Sequence, residues 1–278
     1  MRTLIIVTDS PYLEGVIRIS KQILAQSSQE STIMSVIPRY DHEKFQQAEQ
    51  ILYQSSNRIG VNSLKKKVRV SSLVKAVCRE TAEMDYDLLI LDGLPSPNPD
   101  SMCSRTAITQ IVERIPCSTL LVGGMLPRIQ RILLCDSGST TAQYLRDFTV
   151  RLASLLDDQE QVTILHVMSQ ISAGPGIVGA DLRSDAEKLI DNRTPEGDLL
   201  ERDILSLQQA GVFSIPKIRH GLVLEEILEE ARSGEYDLVI IGAHLQAGWQ
   251  KILLDNLARK IVEQIDRSIL IVKPEPGP

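Results

Sequence analysis

Tyr236–Val262 reads YDLVIIGAHLQAGWQKILLDNLARKIV. An apolar run ends in Gly242, a loop holding Gly248 follows, and the segment continues as an amphipathic helix. A strand that passes through a glycine-bearing loop into a helix is how a parallel sheet presents backbone N–H groups to a phosphate. The same order stands 150 positions earlier, at Tyr86–Val112, as YDLLILDGLPSPNPDSMCSRTAITQIV, with three prolines in the loop. The two copies are therefore not expected to bind a ligand in the same way.

Outward from this pair, the chain repeats itself. Leu4–Val7 reads as a buried strand stopped by Thr8–Pro11, and a helix follows with apolar positions Leu13, Val16, Ile17, Ile23 and Leu24. Thr32–Ile37 and Val68–Val70 read as strands, Asp41–Ile59 as a polar helix, and Ser118–Val122 as a closing strand. RILLCDSGST at Arg131–Thr140 then repeats TLIIVTDSPY, with Asp136-Ser137 over Asp9-Ser10 at an offset of 127. Downstream the offset is 150, so about 23 extra residues enter after the strand Val162–Val167, and Ser169–Asp203 is the segment that holds them. The strands are continuous apolar runs, as expected where a parallel sheet is covered on both faces. The fold class is therefore α/β, with two tandem flavodoxin-like, doubly wound five-stranded parallel sheets, in domains 1–125 and 126–278. Met125–Gln130 is too short to let them separate, and both closing strands, Ser118–Val122 and Ile269–Val272, read as apolar sheet edges.

Composition sets the class. At 278 residues, with 43% hydrophobic and 24% charged, the chain is globular and long enough for two domains. The net charge of −6 is split unevenly: 15 Lys and Arg against 13 Asp and Glu up to residue 128, and 15 against 23 beyond it, or +2 and −8. An acidic chain without basic stripes is a poor nucleic-acid binder. Lys65, Lys66, Lys67 and Arg69 form the one basic cluster, read as a solvated loop leading into a strand. Cys78, Cys103, Cys117 and Cys135 lack metal or disulfide spacing and read as reduced thiols. Without a membrane-length apolar run or a signal peptide, the expected location is cytoplasmic, with no membrane insertion.

These residues resemble the universal stress protein family in its tandem two-domain form. The resemblance rests on a first strand ending in Asp (Asp9, Asp136), on Leu165-His166-Val167, and on Gly221 ahead of a Glu-rich helix. Tyr236–Gly242 and the closing strand Ile269–Val272 complete it. It implies the adenine nucleotide alpha hydrolase-like form of the fold. ATP-binding members of that family carry Gly-x2-Gly-x9-Gly-Ser/Thr after the fourth strand. Here the matching positions are Gly242, Leu245, Asp255 and Asn256 in the second copy, and Asp92, Pro95, Arg105 and Thr106 in the first. A side chain where backbone must approach a phosphate costs access, and Asp255 adds like-charge repulsion.

The candidate ligand residues are Asp136, Ser137, Val167, Gly242, Gly248 and Asn256, which leave room for weak ATP or AMP binding in the second domain and require no cofactor. The resemblance places Asp136 near adenine or ribose, while local chemistry reads Asp136–Ser139 and Asp9–Pro11 as helix caps. His166, His220 and His244 gather at one rim, without metal-ligand spacing. Nucleophile-elbow, Walker and G-x-G-x-x-G motifs are lacking, and Gly174–Gly179 reads as the start of the insertion. The expected function is that of a non-enzymatic stress-response scaffold or signalling partner, with paired domains, a homodimer and a further protein partner. A second reading is an adenine-nucleotide regulator with at most slow ATP hydrolysis, and a third is a soluble regulator of a membrane transporter.

Overall fold

The computed structural model describes residues 1–93, 104–124, 128–136, 142–156, 160–168, 185–243 and 256–274, except the side chains of Ala142 and Asn256. The first half runs β1 (Thr3–Val7), α1 (Leu13–Ala25), β2 (Ser31–Ile37), α2 (His42–Ile59), β3 (Leu64–Val70), α3 (Leu73–Glu83), β4 (Leu88–Asp92), α4 (Arg105–Arg114) and β5 (Ser118–Val122). The second runs β6 (Arg131–Asp136), α5 (Ala142–Ala153), β7 (Gln161–Met168), α6 (Ala186–Asp191), α7 (Pro195–Gln209), β8 (Phe213–His220), α8 (Val223–Ser233), β9 (Leu238–Gly242), α9 (Asn256–Gln264) and β10 (Ser268–Val272). Local chemistry sets the helix ends. Asp41 caps α2 by accepting from the Lys44 amide at 3.0 Å, and Gly60, at φ +75°, ends that helix in the left-handed conformation. Among the described residues, no helix is long and apolar enough to cross a membrane.

The ten strands among the described residues form one sheet in the order β3-β2-β1-β4-β5-β10-β9-β6-β7-β8. Within each half every pairing is parallel. Alternate side chains point to opposite faces. Ile5, Ile90, Ile132, Leu134 and Ile164 share one apolar layer with residues of α1, α2, α5 and α7, whereas Leu4, Leu89, Leu133 and Val239 share the other with α3, α4, α8 and α9. This is the doubly wound arrangement, twice over.

β5 and β10, each the last strand of its own half, pair with each other, antiparallel, with Leu120 opposite Leu270 at the centre of the register. Every residue of both strands is buried, so neither could face water at reasonable cost. Around Leu120 and Leu270 the contacts are related by a local two-fold. The Ser268 hydroxyl accepts from the Gly123 amide and the Ser118 hydroxyl from the Lys273 amide, both at 3.1 Å. Lys273 itself is buried, its Nζ donating to the Val112 and Ile115 carbonyls at the end of α4, and burial lowers its pKa to about 8. Because β5 and β10 run oppositely, the carboxyl ends of the two halves' strands point in opposite directions.

The true edges are β3 and β8. Lys65, Lys66, Lys67 and Arg69 lie within β3 and not in a loop before it, and their charges are engaged. Lys67 and Arg69 reach the buried Glu80 of α3, Lys65 pairs with Glu30 at 2.7 Å, and Lys66 lies 5.4 Å from the centre of the Tyr53 ring. β8 repeats the device: Lys217 and Arg219 each stand 2.8 Å from Glu230 of α8. Tyr86 and Tyr236 donate to Glu80 and Glu230 at 2.9 and 2.7 Å. Charged edges resist pairing with other chains, and Pro216 inside β8 removes a donor there as well. The segment 169–203 divides differently from expectation. α7 packs on α5, β7 and β8 as α2 packs on α1, β2 and β3, so Asp203 belongs to the repeated helix. The extra chain lies ahead of α7 and includes α6.

Two outcomes follow from this packing. Leu120→Ala and Leu270→Ala should each lower the unfolding free energy by about 2–5 kcal/mol, and a double-mutant cycle by urea unfolding should show coupling of at least about 0.5 kcal/mol. Additive losses would mean that the strands do not meet at this register. Burial opposes ionisation of Glu80 and Glu230, but their hydrogen bonds to lysine, arginine and tyrosine outweigh it, and both carboxyls titrate below the ordinary glutamate range. Stability from a lowered carboxyl is present above its unfolded value and lost as pH falls through its folded one. Melting curves followed into acid should show this loss, and the double variant Glu80→Gln/Glu230→Gln should flatten it.

Candidate functional site

In each half the strand order reverses between the first and fourth strands, β1/β4 and β6/β9, and open α/β sheets form their crevice at that switch point. In the first half the crevice is closed by side chains. Asp92, the last residue of β4, is 3% exposed, and the Ser10 hydroxyl donates to it across the gap. Ser10 Oγ also accepts from the Tyr12 amide at 3.1 Å. Asp9 is exposed, and the residue before α1 is Tyr12, which makes no side-chain cap bond. The helix-cap reading of Asp9–Pro11 is thereby corrected: the Ser10 hydroxyl spans the switch point. Pro95 lies outside the described residues, while Arg105 opens α4 and donates to the Glu263 carbonyl of the other half at 3.0 Å.

In the second half Gly242 ends β9, in register with Val272. Its backbone is not left-handed, so a side chain there would be limited by its neighbours and not by conformation. An added Cβ would stand 3.3 Å from the Tyr144 hydroxyl, which reaches over from α5 to donate to the Ala243 carbonyl. A tyrosine therefore fills the approach to this glycine.

Asp136 departs from its expected position. Thr3 pairs with Leu88 and Ile132 with Leu238, so the first strands superpose at an offset of 129, and Asp136 stands where Val7 does, not Asp9. It is 7% exposed and lies on the face covered by α5 and α7. There it meets Asp203 of α7, 2% exposed, whose other partner is Arg146 of α5 at 2.9 Å. Burial and the neighbouring Asp136 push the Asp203 carboxyl up to about 7, against the pull of Arg146. His166, opposite Asp136 in register, is buried with no partner for Nδ1 among the described residues.

The remaining candidates divide. Val167 packs in the layer under α8, on the other face from Asp136. Asn256 is the first residue of α9. Ser137, Gly248, His244, Leu245 and Asp255 lie outside the described residues, as does Gly174–Gly179. Gly242 and Asp136 are thus near one crevice, and Val167 faces away from it. His220 ends β8, one strand beyond His166, and no group of three or more His, Cys, Asp or Glu among the described residues is placed to hold a metal ion. Of the described thiols, Cys117 and Cys135 are buried and Cys78 half-buried, and burial raises the pKa of each, so none of these three is activated; Cys103 lies outside the described residues.

Three side chains placed beside this crevice, Tyr144, Arg146 and Asp203, are not apparent from the sequence pattern. Only Asp203 left a signal, as an aspartate within the apolar stripe Leu200, Asp203, Leu207 of α7.

The model of the universal stress protein family matches residues 128–273. A protein of unknown function from Pseudomonas aeruginosa PAO1 superposes with a TM-score of 0.69 at 16% identity, covering 99% of this chain and 93% of that one. A universal stress protein from Archaeoglobus fulgidus DSM 4304 does so with a TM-score of 0.66 at 13% identity, covering 99% and 96%. At these identities the two likenesses show the fold. No curated protein matches the chain.

Ser10→Ala should lower stability by about 1 kcal/mol, the worth of one buried hydrogen bond to a group with other partners. Asp92→Asn, which still accepts from Ser10, should cost less. Thermal unfolding of both variants tests this; a neutral Ser10→Ala would show that the bond does not close the first crevice.

Proposed function

Because the chain belongs to the universal stress protein family, we propose that it acts as a non-enzymatic stress-response scaffold or signalling partner whose nucleotide sites are degenerate. The observation that carries this is the occupation of both switch points by the protein's own side chains: Ser10 on Asp92 in one half, Tyr144 over Gly242 in the other. Phosphate recognition at such a crevice needs open backbone amides at a helix start, reached without an intervening side chain.

In the first half the buried Asp92 side chain, held by the Ser10 hydroxyl, stands at the switch point and offers a phosphate acceptor oxygens in place of amide donors. The residues of the first half therefore do not fit ATP or AMP. In the second half Gly242 remains, and among the described residues the nearest atom to its missing side chain is the Tyr144 hydroxyl, the far end of a side chain that can change rotamer. That favours a second reading, in which the second half binds an adenine nucleotide weakly after the tyrosine turns aside.

Isothermal calorimetry with ATP and AMP separates the two. The scaffold reading expects no saturable heat with either, corresponding to dissociation constants above about 1 mM. Saturable micromolar binding that Gly242→Asp abolishes would instead establish the nucleotide regulator. Tyr144→Ala, which empties the approach to Gly242, should raise affinity under the second reading and leave the heats unchanged under the first.

A further inference from the structure

Two seams run between the halves, related by the local two-fold, and they are filled differently. At one, the residues ahead of β6 are held by α1 of the other half. The Gln22 side chain takes both backbone groups of Ile129, donating to its carbonyl at 3.0 Å and accepting from its amide at 2.9 Å. Asp237, just ahead of β9, accepts from the Gln130 and Arg131 amides at 2.8 and 2.9 Å. Ile129 is fully buried in the core layer. This seam therefore holds a stretch of chain by its backbone, with one aliphatic side chain inside.

The other seam repeats the frame. Arg2 answers to Arg131: its carbonyl accepts from the Asp87 amide as that of Arg131 does from the Asp237 amide, and its own amide donates to the Asp87 carboxylate at 2.6 Å. At the same offset of 129 between the halves, Phe148 and Leu152 of α5 answer to the buried Ile19 and Ile23 of α1, and Arg151 to Gln22. Met1 then answers to Gln130. Beside Arg151, where the first seam holds Ile129, lies a cavity of about 450 Å³. That is a size that accepts a small ligand or a chain end. Phe148, Pro116 and Pro274 give it apolar walls, and Arg2, Arg151 and Lys273 stand in its lining against Asp85 and Asp87.

The exchange of glutamine for arginine changes what can be held. A glutamine amide both donates and accepts, so it grips the carbonyl and the amide of a chain passing through. A guanidinium only donates, and its planar fork matches a carboxylate. It carries five N–H donors, so Arg151 can serve an incoming carboxylate alongside Asp87, which it holds at 3.1 Å, and its other partners.

We infer that this cavity receives the carboxyl terminus of a partner polypeptide whose last residue is branched and aliphatic. The carboxylate meets Arg151, and the side chain lies against Phe148 and the prolines, as Ile129 lies in the core at the first seam. The site stands at the starts of β1, β4 and β5, away from Ser10 and Asp92 at the far ends of β1 and β4, and it includes neither Gly242 nor Tyr144. It goes beyond the scaffold reading, which names no surface, and it stands whether or not a nucleotide binds.

The probe is the pentapeptide Met-Leu-Pro-Arg-Ile, the sequence of residues 125–129 with a free carboxyl end, titrated into the full chain by calorimetry. Saturable binding is expected, at least about tenfold weaker for the same peptide ending in a carboxamide, and Arg151→Gln should remove that preference. Bound peptide should also slow hydrogen exchange at 85–87 and 116–118 and leave 128–131 unchanged, a result that does not depend on the variant folding. Absence of saturable heat, equal binding of acid and amide, a preference that survives Arg151→Gln, or protection at 128–131 through displacement of the chain there would overturn the inference. N-acetylisoleucine binding as tightly as the pentapeptide would make the ligand a small aliphatic acid and overturn the polypeptide. Binding seen only in a chain ending at Pro274 would make residues 275–278 the occupant, and the partner would fall. Calorimetry with ATP and AMP bears on the Gly242 crevice alone.

Discussion

The antiparallel contact of β5 with β10 is the constraint on which the rest of the molecule depends. Each strand is an apolar run of five residues with no exposed position, and each would end its own sheet. An apolar edge presents unpaired amides and carbonyls together with hydrophobic side chains, and such edges recruit whatever strand comes near. Pairing them satisfies both in one step. The direction of that pairing then fixes everything else: the helices of like order fall on the same face, and the crevices of the halves open at opposite ends of the sheet.

Charge is placed where this scheme leaves edges exposed. Glu80 and Glu230 sit at matching places in α3 and α8, and each gathers a lysine, an arginine and a tyrosine from its half. Exposed ion pairs contribute little by themselves, but a buried carboxylate satisfied by three donors fixes the strand's register against its helix. On the opposite face of the second half Asp203 meets Asp136 and draws Arg146 to 2.9 Å.

Much of the fold was legible because continuous apolar runs and their repetition are written in local sequence. Ser118–Val122 was placed to the residue, and the helix ends were set by Asp41 and Gly60. Ser118–Val122 and Ile269–Val272 read as edges across which the domains pair, whereas the direction and register of that pairing were not legible, since apolar strands read alike either way round. By sequence the basic cluster Lys65–Arg69 reads as a loop, because charge masks a strand whose outer side faces water. At the site, the alignment of Asp136 with Asp9 followed identity of residue type, whereas hydrogen-bond register sets Asp136 over Val7. Tyr144 and Arg146 gave no warning, because their roles come from contacts with residues 99 and 57 positions away.

The two halves meet about a local two-fold, yet they are one chain. In an assembly of two identical subunits every substitution is made twice, and any change near the axis must suit its own mirror image. Covalent joining removes that requirement. An aspartate could settle at position 92 while glycine stayed at 242, and the +2 and −8 halves could drift apart in charge without either having to fit a copy of itself. Asymmetry of this kind is open only to a chain that carries its counterpart with it.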